Sequence, residues 1–87
     1  MNDDVLILDY LRKQKLLGVR YLLSRYSDSL EMIASYLLGD RAEAKYLVGD
    51  VIWDLWIHNK FDDIDPPLRK FLYTEITKAC KALKETA

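Results

Sequence analysis

The stretch Gly39–Trp56, GDRAEAKYLVGDVIWDLW, decides how this chain folds. At 100° per residue, Ala44, Leu47, Val48, Val51, Ile52, Leu55 and Trp56 recur with the i, i+3, i+4, i+7 spacing of one buried face on a long helix. Asp40 stands where a side-chain oxygen caps the free N–H groups of the first turn, and Glu43, three residues on, supplies the acid of a capping box. Opposite the core stripe lie Tyr46, Asp50, Trp53 and Ile57, at angles where a surface helix ordinarily carries charge. Either the first helix or a chain terminus covers this second face, or it is a docking surface for a partner.

Upstream, Leu30, Ile33, Ala34, Leu37 and Leu38 form another helical stripe, with Ser27 as its N-cap, Asp28 in its first turn and Gly39 as the residue that closes it. Before it, Val19, Leu22, Leu23 and Tyr26 predict a second helix after Gly18, or a bent continuation of the first with Gly18 as the bend, running to about Tyr26. A first helix, capped by Asp3 or Asp4, takes its apolar contacts from Val5, Leu6, Leu8 and Leu11, and later from Leu16 and Leu17. Downstream, the helix frays around His58 and Asn59. The segment NKFDDIDPP, residues 59–67, is a loop, because a proline pair forbids helix just before it. Pro67 then opens a last helix with the stripe Leu68, Phe71, Leu72, Ile76, Ala79, Cys80 and Leu83. Its polar side is basic, with Arg69, Lys70, Lys78, Lys81 and Lys84. The expectation is one all-α domain over residues 1–87, a bundle of four to five helices with the Asp40–His58 helix at its centre.

A chain of 87 residues builds one modest core and no cleft between domains. Its net charge of −1 and pI near 5.7 supply no overall positive field, so any nucleic-acid binding needs a local patch. One His and one Cys cannot assemble a metal site or a nucleophile with its base and orienting group, and Cys80 sits on a core stripe as a small hydrophobe. Asp62, Asp63 and Asp65 lack the glycine and closing glutamate of a calcium loop and read as a solvated turn. No glycine-rich phosphate cradle is present. The expectation is a non-enzyme with no cofactor. The start, MNDDVLILDYLRKQ, has neither the pattern of a secretion signal nor a membrane span, and a cytoplasmic protein is expected.

Two blocks, LLSRYSDSLEMIASYLLGDRAEAKYLVGDVIWDLW and PPLRKFLYTEITKACKAL, resemble region two of bacterial RNA polymerase sigma factors, in particular the extracytoplasmic-function group. Gly39, Asp40, Arg41, Ala42, Ala44, Leu47, Val48, Asp50, Val51, Leu55 and Trp56 match that pattern in register, as do Pro67, Leu68, Arg69, Leu72, Tyr73 and Thr74. The resemblance implies a transcription initiation domain that docks on the clamp helices of the largest subunit of core RNA polymerase and engages the non-template strand of the −10 promoter element. The polymerase-facing positions it implies are Tyr46, Leu47, Val48, Gly49, Asp50, Trp53 and Trp56. The DNA-facing positions are Lys60, Phe61, Arg69, Lys70, Tyr73, Thr77, Lys78 and Lys81, where cations attract phosphate and an aromatic ring stacks on an unpaired base. An anti-sigma-like regulator is a further expected partner. A complete factor would also carry a second domain that reads the −35 element.

The chain departs from the pattern at informative places. Tyr46 and Gly49 replace an acid and a glutamine, so the docking face changes character. Thr77-Lys78 stands where the family has Arg-Asn, and Ala82 where it has an acid. The second reading is therefore a sigma-like protein-interaction module that no longer melts promoter DNA.

Overall fold

A computed structural model describes residues 3–86, which form four α-helices: α1 (Asp3–Arg12), α2 (Leu16–Leu38), α3 (Arg41–Ile57) and α4 (Leu68–Thr86). The all-α bundle agrees with the expectation from periodicity, but its hub does not. α2 packs against each of the other three helices, while α3 packs against α2 and α4. At 1.5 Å per residue, the 23 residues of α2 span roughly 35 Å, close to the molecule's longest extent of 37 Å. α2 is the beam, and α3 is laid along it.

α2 also runs unbroken through the two places where the sequence suggested a division. Its buried residues Gly18, Val19, Leu22, Tyr26, Leu30 and Ala34 make one continuous stripe across Ser27. Burial of that stripe outweighs the weak preference of a serine for a cap position. Gly18 is not a bend. A Cβ there would lie 2.8 Å from the backbone nitrogen of Leu11 and 3.0 Å from the carbonyl carbon of Tyr10, so the glycine lets α1 and α2 touch backbone to backbone. In α1 the core residues are Ile7, Leu8 and Leu11, whereas Val5, Leu6, Leu16 and Leu17 are exposed.

Two helices end in the same way. Lys15 N–H donates to the Tyr10 carbonyl (2.9 Å) and Gln14 N–H to that of Leu11 (3.0 Å), with Gln14 left-handed at φ 57°. Lys60 N–H donates to Leu55 (2.9 Å) and Asn59 N–H to Trp56 (3.1 Å), with Asn59 at φ 56°. Both are Schellman closures, so the end of α3 is capped where fraying was expected. The two left-handed residues meet, and the Gln14 amide donates to the Asn59 side-chain oxygen. α2 closes on Gly39 at φ 73°, whose N–H reaches the Ser35 carbonyl at 2.8 Å, as the sequence predicted.

Long-range polar contacts fix the remaining pieces. Arg12 donates to the carbonyls of Phe61 (3.1 Å) and Ile64, fastening the loop between α3 and α4 to the end of α1. Asp4 reaches beyond its own helix. It is buried, its Oδ1 accepts from the Tyr26 hydroxyl (2.7 Å), and its Oδ2 accepts from the Leu68 N–H (3.0 Å). A residue of α1 thus caps α4, which begins one position after the expected Pro67. Arg25 Nε approaches the same carboxylate at 3.5 Å.

Candidate docking and nucleic-acid faces

The start of α3 follows from its sequence. Asp40 Oδ1 accepts from the Glu43 N–H at 3.0 Å, and Ala44, Val48, Ile52 and Leu55 are buried against the bundle. Leu47, Val51 and Trp56 are half-buried beside them. The opposite side is open, since no described residue covers Tyr46, Trp53 or Ile57, which are 77%, 51% and 49% exposed.

The residues of that open side are sorted around the helix axis. At 100° per residue, Gly49, Ala42, Trp53, Tyr46 and Ile57 follow one another as an apolar strip, and Asp50, Glu43 and Asp54 form an acidic strip along the edge nearer α4. Trp53 and Trp56 meet edge to face with centroids 5.2 Å apart, a contact between the exposed ring and the half-buried one. Asp54 pairs with His58 Nδ1 at 3.2 Å. Beyond the acids, α3 and α4 enclose a groove of about 690 Å³ whose apolar walls are Tyr46, Leu47, Val51, Ala79, Ala82 and Leu83.

On α4 the basic residues do not act as one surface. Arg69 Nε donates to the Tyr73 hydroxyl (3.3 Å) and its guanidinium lies 5.4 Å from the centre of that ring. The hydrogen bond from Arg69 holds the Tyr73 phenol below its ordinary pKa against the opposing effect of burial, with Ser29 of α2 assisting. Lys84 donates to the Leu37 carbonyl (3.0 Å) and so serves the end of α2. Lys78 leans toward Glu75 at 3.9 Å. Lys70, Thr74, Thr77 and Lys81 remain as an exposed ridge on the outer side of α4.

Of the polymerase-facing positions implied by the resemblance, Tyr46, Gly49, Asp50 and Trp53 share the open side of α3. Leu47 and Trp56 flank it, and Val48 is 1% exposed and belongs to the core. Of the DNA-facing positions, Lys60, Arg69, Lys70, Thr77, Lys78 and Lys81 are exposed, and Tyr73 is half-buried. Phe61 is a correction. It is 1% exposed and packs edge to face on Phe71 with centroids 5.9 Å apart, because Arg12 draws its backbone into the bundle. It offers no ring to a base. Asp62, Asp63 and Asp65 are exposed on the same loop, and among the described residues no group of three or more His, Cys, Asp or Glu could hold a metal ion.

Asp4 and Arg12, which position the start of α4 and the loop before it, were not singled out by the sequence for those roles, since their partners lie 64 and 49 residues away. No helix among the described residues is long and apolar enough to cross a membrane. Comparisons with protein-family models, with curated proteins and with solved structures find no match for this chain.

Proposed function

We propose that this chain is a sigma region-two-like transcription initiation domain, which docks on core RNA polymerase through α3 and engages −10 promoter DNA through α4. The observation that carries the reading is the open side of α3. Three large apolar side chains there are about half exposed or more, beside an acidic strip, within the stretch whose residues resemble the family's polymerase-docking helix. The Lys70–Lys81 ridge lies on a different helix, so one molecule can hold a protein and a nucleic acid together. Such a domain works in the cytoplasm beside the polymerase, and an anti-sigma-like regulator would compete for the α3 face.

The second reading, an interaction module that does not open DNA, is favoured by the loop at residues 59–67. Phe61 is in the core, Arg12 fastens the backbone, and three exposed acids repel phosphate. The two readings separate when the purified domain is titrated with core RNA polymerase and, in parallel, with a single-stranded −10-type oligonucleotide across a salt series. Binding to both supports the initiation domain. Binding to polymerase alone supports the module; binding to neither removes the initiation domain and leaves the module only with a regulator or a second copy of the chain as its partner.

A further inference from the structure

The open side of α3 carries opposite charges on its two edges. At 100° per residue, Lys45 borders the apolar strip on the side of Gly49, and Asp50 borders it on the other side, beyond Tyr46 and Ile57. Both are exposed, and neither side chain is paired with another described residue. Between them, Ala42, Tyr46, Gly49, Trp53 and Trp56 recur at alternating steps of four and three residues, the spacing of a seam between paired helices. Gly49 is the low point of that seam. A Cβ built on it meets nothing within 4 Å, and the depression of about 430 Å³ around it is lined by Ala42, Lys45, Tyr46, Gly49 and Asp50. One cation and one carboxylate thus stand on opposite sides of an apolar hollow, with exposed rings at Tyr46 and Trp53 one turn before and after its centre.

We infer that the open side of α3 receives the same side of a second copy of the chain, the two α3 helices running parallel about a two-fold axis. Such an axis sets each edge of one helix against the opposite edge of the other. Lys45 then faces Asp50 of the second copy, five residues on, which is the offset at which flanking charges meet across parallel paired helices, and the symmetry makes the pair twice. An antiparallel pair sets like edge against like edge, so that Glu43 and Asp50 of the two copies would repel. In the parallel register the Tyr46 and Trp53 rings of both copies pack over the low surface at Gly49 and Ala42, which lets the two helices approach closely. What favours a second copy over an unrelated helix is that this chain carries both halves of the ion pair, unpaired within itself, at the spacing the pairing needs. With a net charge of −1, two copies have little to repel each other. The pairing rests on the geometry of α3 alone. Its consequence rests on the proposed docking role, because a face occupied by a second copy is closed to polymerase, and self-association draws the chain away from docking as its concentration rises.

The test is sedimentation velocity of the wild-type chain, of Lys45→Asp and Asp50→Lys separately, and of an equimolar mixture of the two variants, each across about 1–500 µM. Wild type is expected to pass from monomer to dimer within this range, and each variant alone to need a concentration about tenfold higher or more, since two attractive pairs become two repulsive ones. The mixture is expected to return to wild-type behaviour, because the two variants together exchange the ends of the pair between copies. Both side chains are exposed and unpaired, so thermal melts of the variants are expected to match wild type, which separates loss of pairing from loss of the fold. A wild type that stays monomeric throughout, variants that dimerise as well as wild type, or a mixture that dimerises no better than its components overturns the inference. Core RNA polymerase is titrated in parallel, and its complex is expected to hold one copy of the chain; two copies would overturn the exclusion of polymerase by pairing. Wild type that dimerises with this charge dependence but binds no polymerase overturns the docking role and leaves the pairing standing. Wild type that binds polymerase but stays monomeric overturns the pairing and leaves the docking role.

Discussion

At the scale of single residues, one buried carboxylate ties helices together that the apolar core also joins. Asp4 accepts from Tyr26 of α2 and from the first N–H of α4, so its carboxylate joins three helices. Asp4→Ala leaves two donors with no acceptor there and is expected to cost roughly 2–4 kcal/mol, a large share of the stability of a domain this small. Urea denaturation followed by circular dichroism measures it, and a loss below about 1 kcal/mol would show that water replaces the carboxylate. Tyr26 gives this cluster a pH dependence. Burial first, and then its hydrogen bond to Asp4, push the phenol above its ordinary 10.0. Cys80, buried on α4, is likewise pushed above 9.0. For both groups the folded chain keeps a proton that the unfolded chain has released. Their contribution is fully present below the unfolded pKa and is lost as pH rises from there through the folded value. These two groups pull the thermal midpoint down from about pH 9 upward, Tyr73 with its lowered pKa acts in the opposite direction, and Tyr26→Phe, which leaves Tyr73 and Cys80 in place, should fall less steeply than wild type above about pH 10. Identical profiles for the two proteins would show that Tyr26 titrates as it does in the unfolded chain.

At the scale of the helices, two glycines predict opposite outcomes from one substitution. Gly18→Ala drives a Cβ into the backbone of α1 and is expected to cost roughly 1–3 kcal/mol, whereas Gly49→Ala meets open space and is expected to stabilise by up to about 1 kcal/mol. Thermal melts resolve the pair, since 1 kcal/mol moves the midpoint by roughly 4–8 °C in a domain of this size. The turn between α2 and α3 was legible in the sequence because its parts are local: Gly39 takes the left-handed position, and Asp40 caps a backbone N–H three residues on. Ser27 was misread because a serine offers a cap but cannot impose one, and the stripe running through it from Val19 to Ala34 keeps the helix whole. Phe61 was misread for a different reason. An aromatic in an acidic, proline-terminated loop looks exposed, and what buries it is Arg12, a contact that no periodicity encodes. Phe61→Ala should accordingly cost about 3–5 kcal/mol, as for a core aromatic, and a change near zero would place the ring outside the core. The open side of α3 was visible as a pattern, but only the packing of α1 against α2, away from it, decided that no described residue covers it.

At the scale of the molecule, α4 carries the largest excess of cations, while α3 mixes Glu43, Asp50 and Asp54 with Arg41 and Lys45. With a net charge of −1 the chain has no long-range attraction for DNA, so affinity for a strand must come from cations that stand clear of their neighbours. The lysines that looked like one ladder on α4 have been given different tasks. Lys84 serves the carbonyl end of α2, Lys78 leans on Glu75 beside α3, and Lys81 stands with Lys70 on the outer ridge. Counterion release makes this division measurable, because each phosphate contact to a single strand adds about 0.7 to the slope of log K against log salt. Lys70→Gln combined with Lys81→Gln should flatten that slope by about 1.4 and weaken oligonucleotide binding most at low salt. Lys84→Gln should leave the slope nearly unchanged and lower the thermal midpoint instead, since it uncouples the end of α2 from α4. If the ridge variant keeps the wild-type slope while Lys84→Gln reduces it, the proposed DNA face moves to the Arg69–Tyr73–Lys84 edge beside α2. If neither changes it, α4 does not carry the proposed DNA contact, and of the two proposed faces only the open side of α3 remains.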